Sequence, residues 1–253
     1  MILELDVLIA DTTWADIETL RGRISEISAV GTPRSLLMAA KELADLFNAY
    51  SSIVLARVFL VLPFESMPAR ERASAEAFVD NDPRLVARTP VLSLLATRGR
   101  KPEWNDRDRS RGHRAIPLLD QAFVQGAPMI ARLLADLEIN LKALDDGRPI
   151  VTRRMLGGRN GAFYVDDAQS ARDALGRPII PAQDFVAEHA IRTVFGMGGA
   201  YVHGQLVVAI MFCTELLDRL VVDRFPSLIS NFKMATAPLI ESQSIYEPAP
   251  DRG

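Results

Sequence analysis

The feature that most constrains the fold is an apolar run from Ser52 to Phe64, which Pro63 closes. The run is rich in β-branched and large apolar residues, so it predicts a central strand that is buried on both faces. Arg57 lies in the middle of this run. A buried guanidinium needs a partner, because an unpaired buried charge costs several kcal/mol. Arg57 would therefore anchor a ligand, lie at a sheet edge or form a structural ion pair, and the residues alone favour the ion pair.

Apolar residues at helical spacing predict an amphipathic helix over about 16–30 and a second helix from Pro33 to about Tyr50. A hairpin is the natural interpretation of the two strand-like runs near the C-terminus. The remaining predicted elements are a helix over 68–79, a strand over 90–97, a helix over 128–141, hairpin strands over 190–197 and 205–212, and a closing helix over 218–240 with a break at Pro226.

Helices on the flanks of short, hairpin-connected strands predict an α+β fold with a mostly antiparallel sheet. A length of 253 residues fits one large domain or two small ones. We divide the chain into an N-terminal amphipathic helix (1–31), an α+β domain (32–240) and a polar, proline-containing tail (241–253) that is expected to be disordered.

Composition excludes several classes of protein. The formal charge of −3 provides no global field to attract nucleic acid or an acidic membrane. No apolar run approaches the roughly 18–20 residues that span a bilayer, and the N-terminus lacks the basic region of a signal peptide. The single cysteine, Cys213, lies in an apolar run and is expected to be buried. We therefore expect a cytoplasmic protein that binds neither nucleic acid nor membrane.

Four stretches carry a family resemblance: 89–97, 102–118, 180–186, and 191–199 continuing into 204–212. The most specific part is the Trp-Asn…Ser-x-Gly-His-x-Ala-Ile-Pro-Leu pattern within 104–118. Together these stretches resemble the GAF-like sensory input domains found upstream of bacterial histidine kinases. The resemblance implies a six-stranded antiparallel sheet flanked by helices, a ligand or partner pocket on one face, and dimerisation through terminal helices. The segment 140–176 matches poorly.

The resemblance also bears on partners. No segment after Glu241 is long enough for a kinase, phosphatase or cyclase domain, so we expect a stand-alone module that acts in trans on a kinase or another output protein. We expect a homodimer, with the amphipathic stretches 16–30 and 218–240 as its surface. Leu20 and Ile24 are the positions that test this surface. The alternative is that both stretches pack onto their own sheet.

The arginine-rich segment from Arg98 to Arg114 is the sharpest candidate site. It contains seven Lys/Arg and three Asp/Glu without periodicity, which predicts a long loop, and loops of this length are often functional. Interleaved acids and a single aromatic residue argue against nucleic acid. The loop would present a guanidinium, a hydroxyl and an imidazole to an anionic or polar ligand. The alternative is that these groups hydrogen-bond the loop's own backbone. The candidate ligand-binding residues are Arg57, Trp104, Asn105, Arg107, Ser110 and His113.

The sequence favours a binding protein over an enzyme. It contains no Gly-x-Ser-x-Gly motif, and the i, i+3 spacing of Ser110 and His113 fixes no geometry in a loop. The three histidines are not paired at i, i+4, and no Cys–His cluster exists, so we expect no metal. The cofactor is unknown. We predict a signalling input module that binds a small ligand or a partner protein, with a small hydrolase using the 104–113 loop and a ligand-free adaptor as alternatives.

Overall fold

A computed structural model of the protein describes residues 8–27, 35–110, 113–146 and 161–246. In these ranges the strands form one six-stranded sheet with the order β3-β2-β1-β6-β5-β4, and every neighbouring pair is antiparallel. The predicted α+β class with a six-stranded antiparallel sheet is therefore confirmed, and the apolar run around Arg57 lies at its centre. The strands are β1 Ile53–Pro63, β2 Pro90–Gly99, β3 Ala115–Pro117, β4 Gly161–Val165, β5 Thr193–Ala200 and β6 Leu206–Cys213.

The helices begin where the local sequence provides a start signal. Thr13 forms a capping box with Asp16 at the first helix, and Ser35 caps the second. The predicted start of the second helix at Pro33 is therefore wrong, because Ser35 is extended and its hydroxyl accepts from the Met38 N–H, so the helix begins at Leu36. Proline occupies the first position of the helix at Pro226, where the break was predicted. The described helices are α1 Trp14–Glu26, α2 Leu36–Asn48, α3 Ala69–Phe78, α4 Gln121–Gln125, α5 Pro128–Asp136, α6 Lys142–Asp145, α7 Gln183–Glu188, α8 Arg219–Val222 and α9 Pro226–Glu241.

A hydrophobic core lies on each face of the sheet. Apolar residues of α1, α2 and α9 fill one core, and residues of α4 to α7 fill the other. The central strand is buried on both faces because it contributes side chains to both cores. The segment after β2 contains the short 3-10 helices Pro102–Asn105 and Arg107–Arg109, and its Trp104 packs against the second core.

The α1 residues predicted to form a dimer surface are buried inside the single chain. Leu20 is 4% exposed and Ile24 is 0% exposed, because both pack into the protein's own core beside α9. These two positions therefore stabilise the single chain, as the alternative interpretation held. The homodimer itself stays a prediction.

The segment after α9 also differs from the predicted disordered tail. The backbone N–H groups of Leu36 and Leu37 donate to the carbonyls of Ser244 and Ile245 at 2.8 and 2.9 Å. These bonds satisfy amides at the start of α2 that have no partner within that helix. Residues 242–246 are therefore part of the folded domain, and 247–253 lie outside the described residues.

Within the described parts of the chain, no helix combines the length and the apolar character that a bilayer crossing needs.

Candidate functional site

A cavity of about 1210 Å³ lies on the face of the sheet that α5 and α7 cover. Protein interiors normally contain few voids larger than a water molecule, whereas small-molecule sites typically enclose about 300–1,000 Å³. The cavity exceeds the upper end of this range and is therefore large enough for a small molecule. Its floor is formed by the strand residues Leu55, Arg57, Phe59, Leu92, Thr97, Ile116, Ile210 and Phe212.

The walls of the cavity are mostly apolar, and its mouth is polar. The walls come from the end of α3, from the start and body of α5, from residues 180–182 and from α7, and the mouth comes from the loop after β2. An apolar enclosure with a few polar groups is typical of small-molecule sites. The wall residues are Phe78, Ala127, Met129, Ile130, Leu133, Ile180, Pro181, Ala182 and Phe185, and the loop contributes Glu103, Trp104, Asp106, Arg109, Ser110 and His113.

Strand register places Arg57 at the centre of the floor. Arg57 lies directly opposite Thr97 on β2 and Ile210 on β6. Directly opposed residues on one face of an antiparallel pair are close neighbours. The pairing with β2 shifts register between Val58 and Phe59, so the strands have a bulge at Leu95 of β2, two residues from Thr97. Such irregularities re-aim side chains near functional sites.

The guanidinium of Arg57 lacks the structural ion pair that the sequence favoured. Among the described residues, no carboxylate forms a salt bridge with Arg57, and its Nε is buried without a hydrogen-bond partner. Burial lowers the pKa of Arg57 to about 10. At neutral pH the side chain is therefore a cation on the cavity floor without a counter-charge among the described groups.

Two more polar atoms in the cavity lining share this property. Thr97 Oγ1 and Ser110 Oγ are buried, and neither has a hydrogen-bond partner in the described parts of the chain. Buried polar atoms in native proteins are nearly always hydrogen-bonded, so each exception needs an explanation. Here three exceptions, on two strands and one loop, line the same cavity. These atoms are shielded from solvent, so a polar ligand in the cavity would bond them only after the three side chains rotate towards it.

The structure divides the predicted loop residues into two groups. Trp104, Ser110 and His113 line the cavity, together with Arg57. Asn105 does not, because its side-chain oxygen accepts a hydrogen bond from the backbone N–H of Gly99 at 2.9 Å.

Arg107 also lies outside the cavity lining and fastens the loop to the fold. Its Nε donates to the Leu94 carbonyl at 2.9 Å, and its Nη2 contacts the Glu71 carboxylate at 3.0 Å. Arg114 contacts the same Glu71 oxygen at 3.2 Å, and the Glu71 side chain is 5% exposed. Asn105 and Arg107 therefore hold the loop in place, whereas the other candidate residues line the cavity.

The network around Arg107 reaches the segment after α9. The guanidinium carbon of Arg107 lies 5.6 Å from the ring centroid of Tyr246, within cation–π distance. The Tyr246 hydroxyl is hydrogen-bonded to Ser93 Oγ at 2.8 Å. One loop thus contacts the ligand-sized cavity with some residues and the C-terminal segment with another.

An aromatic cluster closes one end of the cavity. The ring centroid of Trp104 lies 5.6 Å from that of Phe185 and 4.9 Å from that of His189, and Phe185 in turn contacts Phe212 at 5.6 Å. These edge-on contacts fix the indole above the end of β6. Trp104 is therefore a rigid part of the lining and a natural fluorescence reporter for it.

Sequence reasoning missed Thr97, the α5 wall and Phe185. Thr97 carried a usable signal, because it is a polar residue in an apolar strand, as Arg57 is. The wall residues carried none, since apolar residues that line a cavity have the same local pattern as those that fill a core.

The described residues hold no cluster of three or more His, Cys, Asp or Glu side chains that could bind a metal ion. Cys213 is fully buried, as expected, and burial raises the pKa of its thiol to about 11.

The fold and the cavity define an α+β protein with a ligand-sized site on one face of its sheet. No protein-family model and no curated protein sequence matches this chain. Two solved structures align with 90% of it. The phycoerythrobilin-bound GAF domain of a cyanobacterial phytochrome aligns over 97% of its own length, with a TM-score of 0.45 and 8% identity. The N-acylhomoserine lactone-dependent LuxR family transcription factor CepR2 from Burkholderia cenocepacia aligns over 96%, with a TM-score of 0.40 and 11% identity. At these scores the likeness carries no weight for function, which must be argued from the cavity.

Proposed function

We propose that this protein is a signalling input module that binds a small molecule in the cavity and passes the bound state to a partner protein. One observation carries the proposal: Arg57 Nε, Thr97 Oγ1 and Ser110 Oγ are buried without partners and line one cavity of about 1210 Å³. An unsatisfied buried polar atom costs about 1–3 kcal/mol, and rotation of these three side chains towards a polar ligand would recover part of that cost.

The loop after β2 supports the signalling part of the proposal. Asp106, Arg109 and Ser110 line the cavity, while Arg107, between them in the chain, contacts Tyr246. A ligand transmits a signal only through different affinities for two conformations. A ligand that changes the position of this loop also changes the contact of Arg107 with the C-terminal segment. We propose that a kinase or another output protein, acting in trans on a homodimer, reads this change.

Two alternatives make different predictions. A ligand-free adaptor requires that the protein's own side chains fill the pocket, and the volume of the cavity favours a ligand instead. A hydrolase that uses Ser110 as its nucleophile needs a base within hydrogen-bond reach of the hydroxyl. Among the described residues, Ser110 Oγ accepts and donates no hydrogen bond, so it is not bonded to His113. Turnover of naphthyl esters, lost in Ser110→Ala, would nevertheless establish a hydrolase.

Binding of an uncharged fluorescent probe tests the site. Trp104 lines the cavity, whereas Trp14 is 61% exposed on α1, so Trp14→Phe leaves one tryptophan signal that reports on the cavity. N-phenyl-α-naphthylamine should bind saturably and quench Trp104 emission by energy transfer. Leu133→Trp, which places an indole in the cavity wall, should abolish binding while the protein remains folded by circular dichroism. Absence of saturable quenching in the Trp14→Phe protein would refute the proposed cavity function.

Hydrogen exchange tests the relay. With the probe bound, we expect slower exchange in 102–110, which roofs the cavity, and a changed rate in 242–246. Residues 14–26 pack on the opposite face of the sheet and should exchange at the same rate with and without the probe. Protection confined to the loop would support ligand binding and contradict the relay.

A further inference from the structure

We infer that the ligand is an amphiphile with one carboxylate, which Arg57 and Thr97 bind on the sheet floor while its apolar body lies against α5 and α7. This inference rests on the proposed function and specifies the ligand class for the same cavity. It does not depend on the relay to the C-terminal segment.

The single positive charge on the cavity floor favours a ligand that carries one negative charge. Among the described strand residues that line the cavity, Arg57 is the only charged one. A neutral ligand would leave this cation unpaired in a site of low polarity, which is costly. A dianion such as a phosphate monoester would bring a second charge for which the floor has no second cation. The mouth adds the acidic residues Glu103 and Asp106, and Arg109, the remaining guanidinium of the lining, already pairs with Asp106 at 3.4 Å.

The geometry of the donors fits a carboxylate. A guanidinium presents parallel N–H donors that match the two oxygens of a carboxylate. Thr97 is the cross-strand neighbour of Arg57, and its hydroxyl can donate to one of these oxygens. Ser110 supplies a further hydroxyl from the loop that covers the cavity. Together these groups can form up to four charge-assisted or neutral hydrogen bonds to one end of a ligand.

The remaining lining determines the rest of the ligand. Aliphatic side chains of Met129, Ile130 and Leu133 form one wall, and Phe185 and Trp104 close the end. None of the three α5 residues and neither aromatic ring presents a charge, so this part of the cavity favours an apolar body. The ligand class is therefore a hydrophobic monocarboxylate.

Three naphthyl compounds that differ only in their polar group test this inference. In the Trp14→Phe background, α-naphthaleneacetate, α-naphthylethanol and α-naphthyl phosphate are each titrated to displace bound N-phenyl-α-naphthylamine at neutral pH. We expect the carboxylate to bind at least tenfold more tightly than the alcohol, a difference of about 1.4 kcal/mol, and more tightly than the phosphate. Arg57→Met should lose this preference. Thr97→Val should reduce it about threefold, and the exposed Arg88→Met should retain it.

The outcomes separate the ligand class from the proposed function. If the uncharged probe binds but the acetate and the alcohol displace it equally, or neither displaces it, the carboxylate inference is overturned and the cavity function stands. Tighter binding of the phosphate overturns the single-charge argument. If Arg109→Met loses the preference for the carboxylate and Arg57→Met keeps it, the assignment of the carboxylate to Arg57 on the floor is overturned. Retained probe binding in Arg57→Met shows that this variant has kept its fold and its cavity.

Discussion

Replacing Arg57 by methionine should stabilise the ligand-free protein. Burial lowers the pKa of this guanidinium from its ordinary value to about 10. Each pKa unit corresponds to about 1.4 kcal/mol, so the charged form destabilises the folded state by roughly 3 kcal/mol. For a base with a lowered pKa, this penalty is fully present below about pH 10 and disappears as the pH rises towards 12.5. Methionine keeps much of the aliphatic stem and removes the charge.

The gain should be measurable by thermal and chemical denaturation. Solvent that enters the cavity screens part of the penalty, so we take about 2 kcal/mol as the net gain, which raises Tm by about 4–8 °C in a chain of this size. The difference should be constant between about pH 6 and 9, where Arg57 remains protonated. Arg57→Lys keeps the charge and should give no gain, and Arg88→Met should change stability by less than about 0.5 kcal/mol.

An unchanged or lower Tm for Arg57→Met, with the Arg88→Met control unchanged, would refute the reasoning. It would show that the guanidinium of Arg57 already has a compensating partner in the folded chain. A stabilised variant that no longer prefers carboxylates would instead show that the cation is kept for binding at the expense of stability.

Three further predictions concern the frame around the site. Gly196→Ala should destabilise the protein by about 2–3 kcal/mol in urea denaturation, because a Cβ would lie 2.5 Å from a backbone carbonyl oxygen of β6. The matched Gly22→Ala in α1, where nothing lies within 4 Å, should stabilise it by about 0.5–1 kcal/mol, and equal effects would contradict this packing. Glu71→Gln should cost about 1.5–3 kcal/mol, because Arg107 and Arg114 lose their shared buried carboxylate and keep only the more exposed Asp108, and a loss below about 1 kcal/mol would show that the network is dispensable. Cys213, whose pKa burial raises to about 11, should resist iodoacetamide at pH 8 until the protein unfolds, and rapid alkylation of the native protein would contradict its burial.

Local patterns in the sequence determined most of the fold. The apolar runs at β1, β2, β5 and β6 specified strands, and Pro128 and Pro226 marked the starts of two helices, because these signals act within a few residues. The short strands β3 and β4 lacked such a signal. They have 3 and 5 residues, and pairing with a longer neighbour fixes each of them.

The sequence also identified Arg57 as anomalous, since a charge inside a buried strand is costly in any fold. Only the tertiary structure decided its surroundings. Cross-strand register placed Thr97 beside Arg57, and the loop after β2 brought Ser110 to the same cavity. In that loop, the side chains of Asn105 and Arg107 bond structural partners instead. Ser110 and Arg107 are three residues apart in one loop, so no local pattern separates a cavity residue from a residue that fastens the loop. That distinction depends on which distant groups, such as the carboxylate of Glu71, the fold brings within reach.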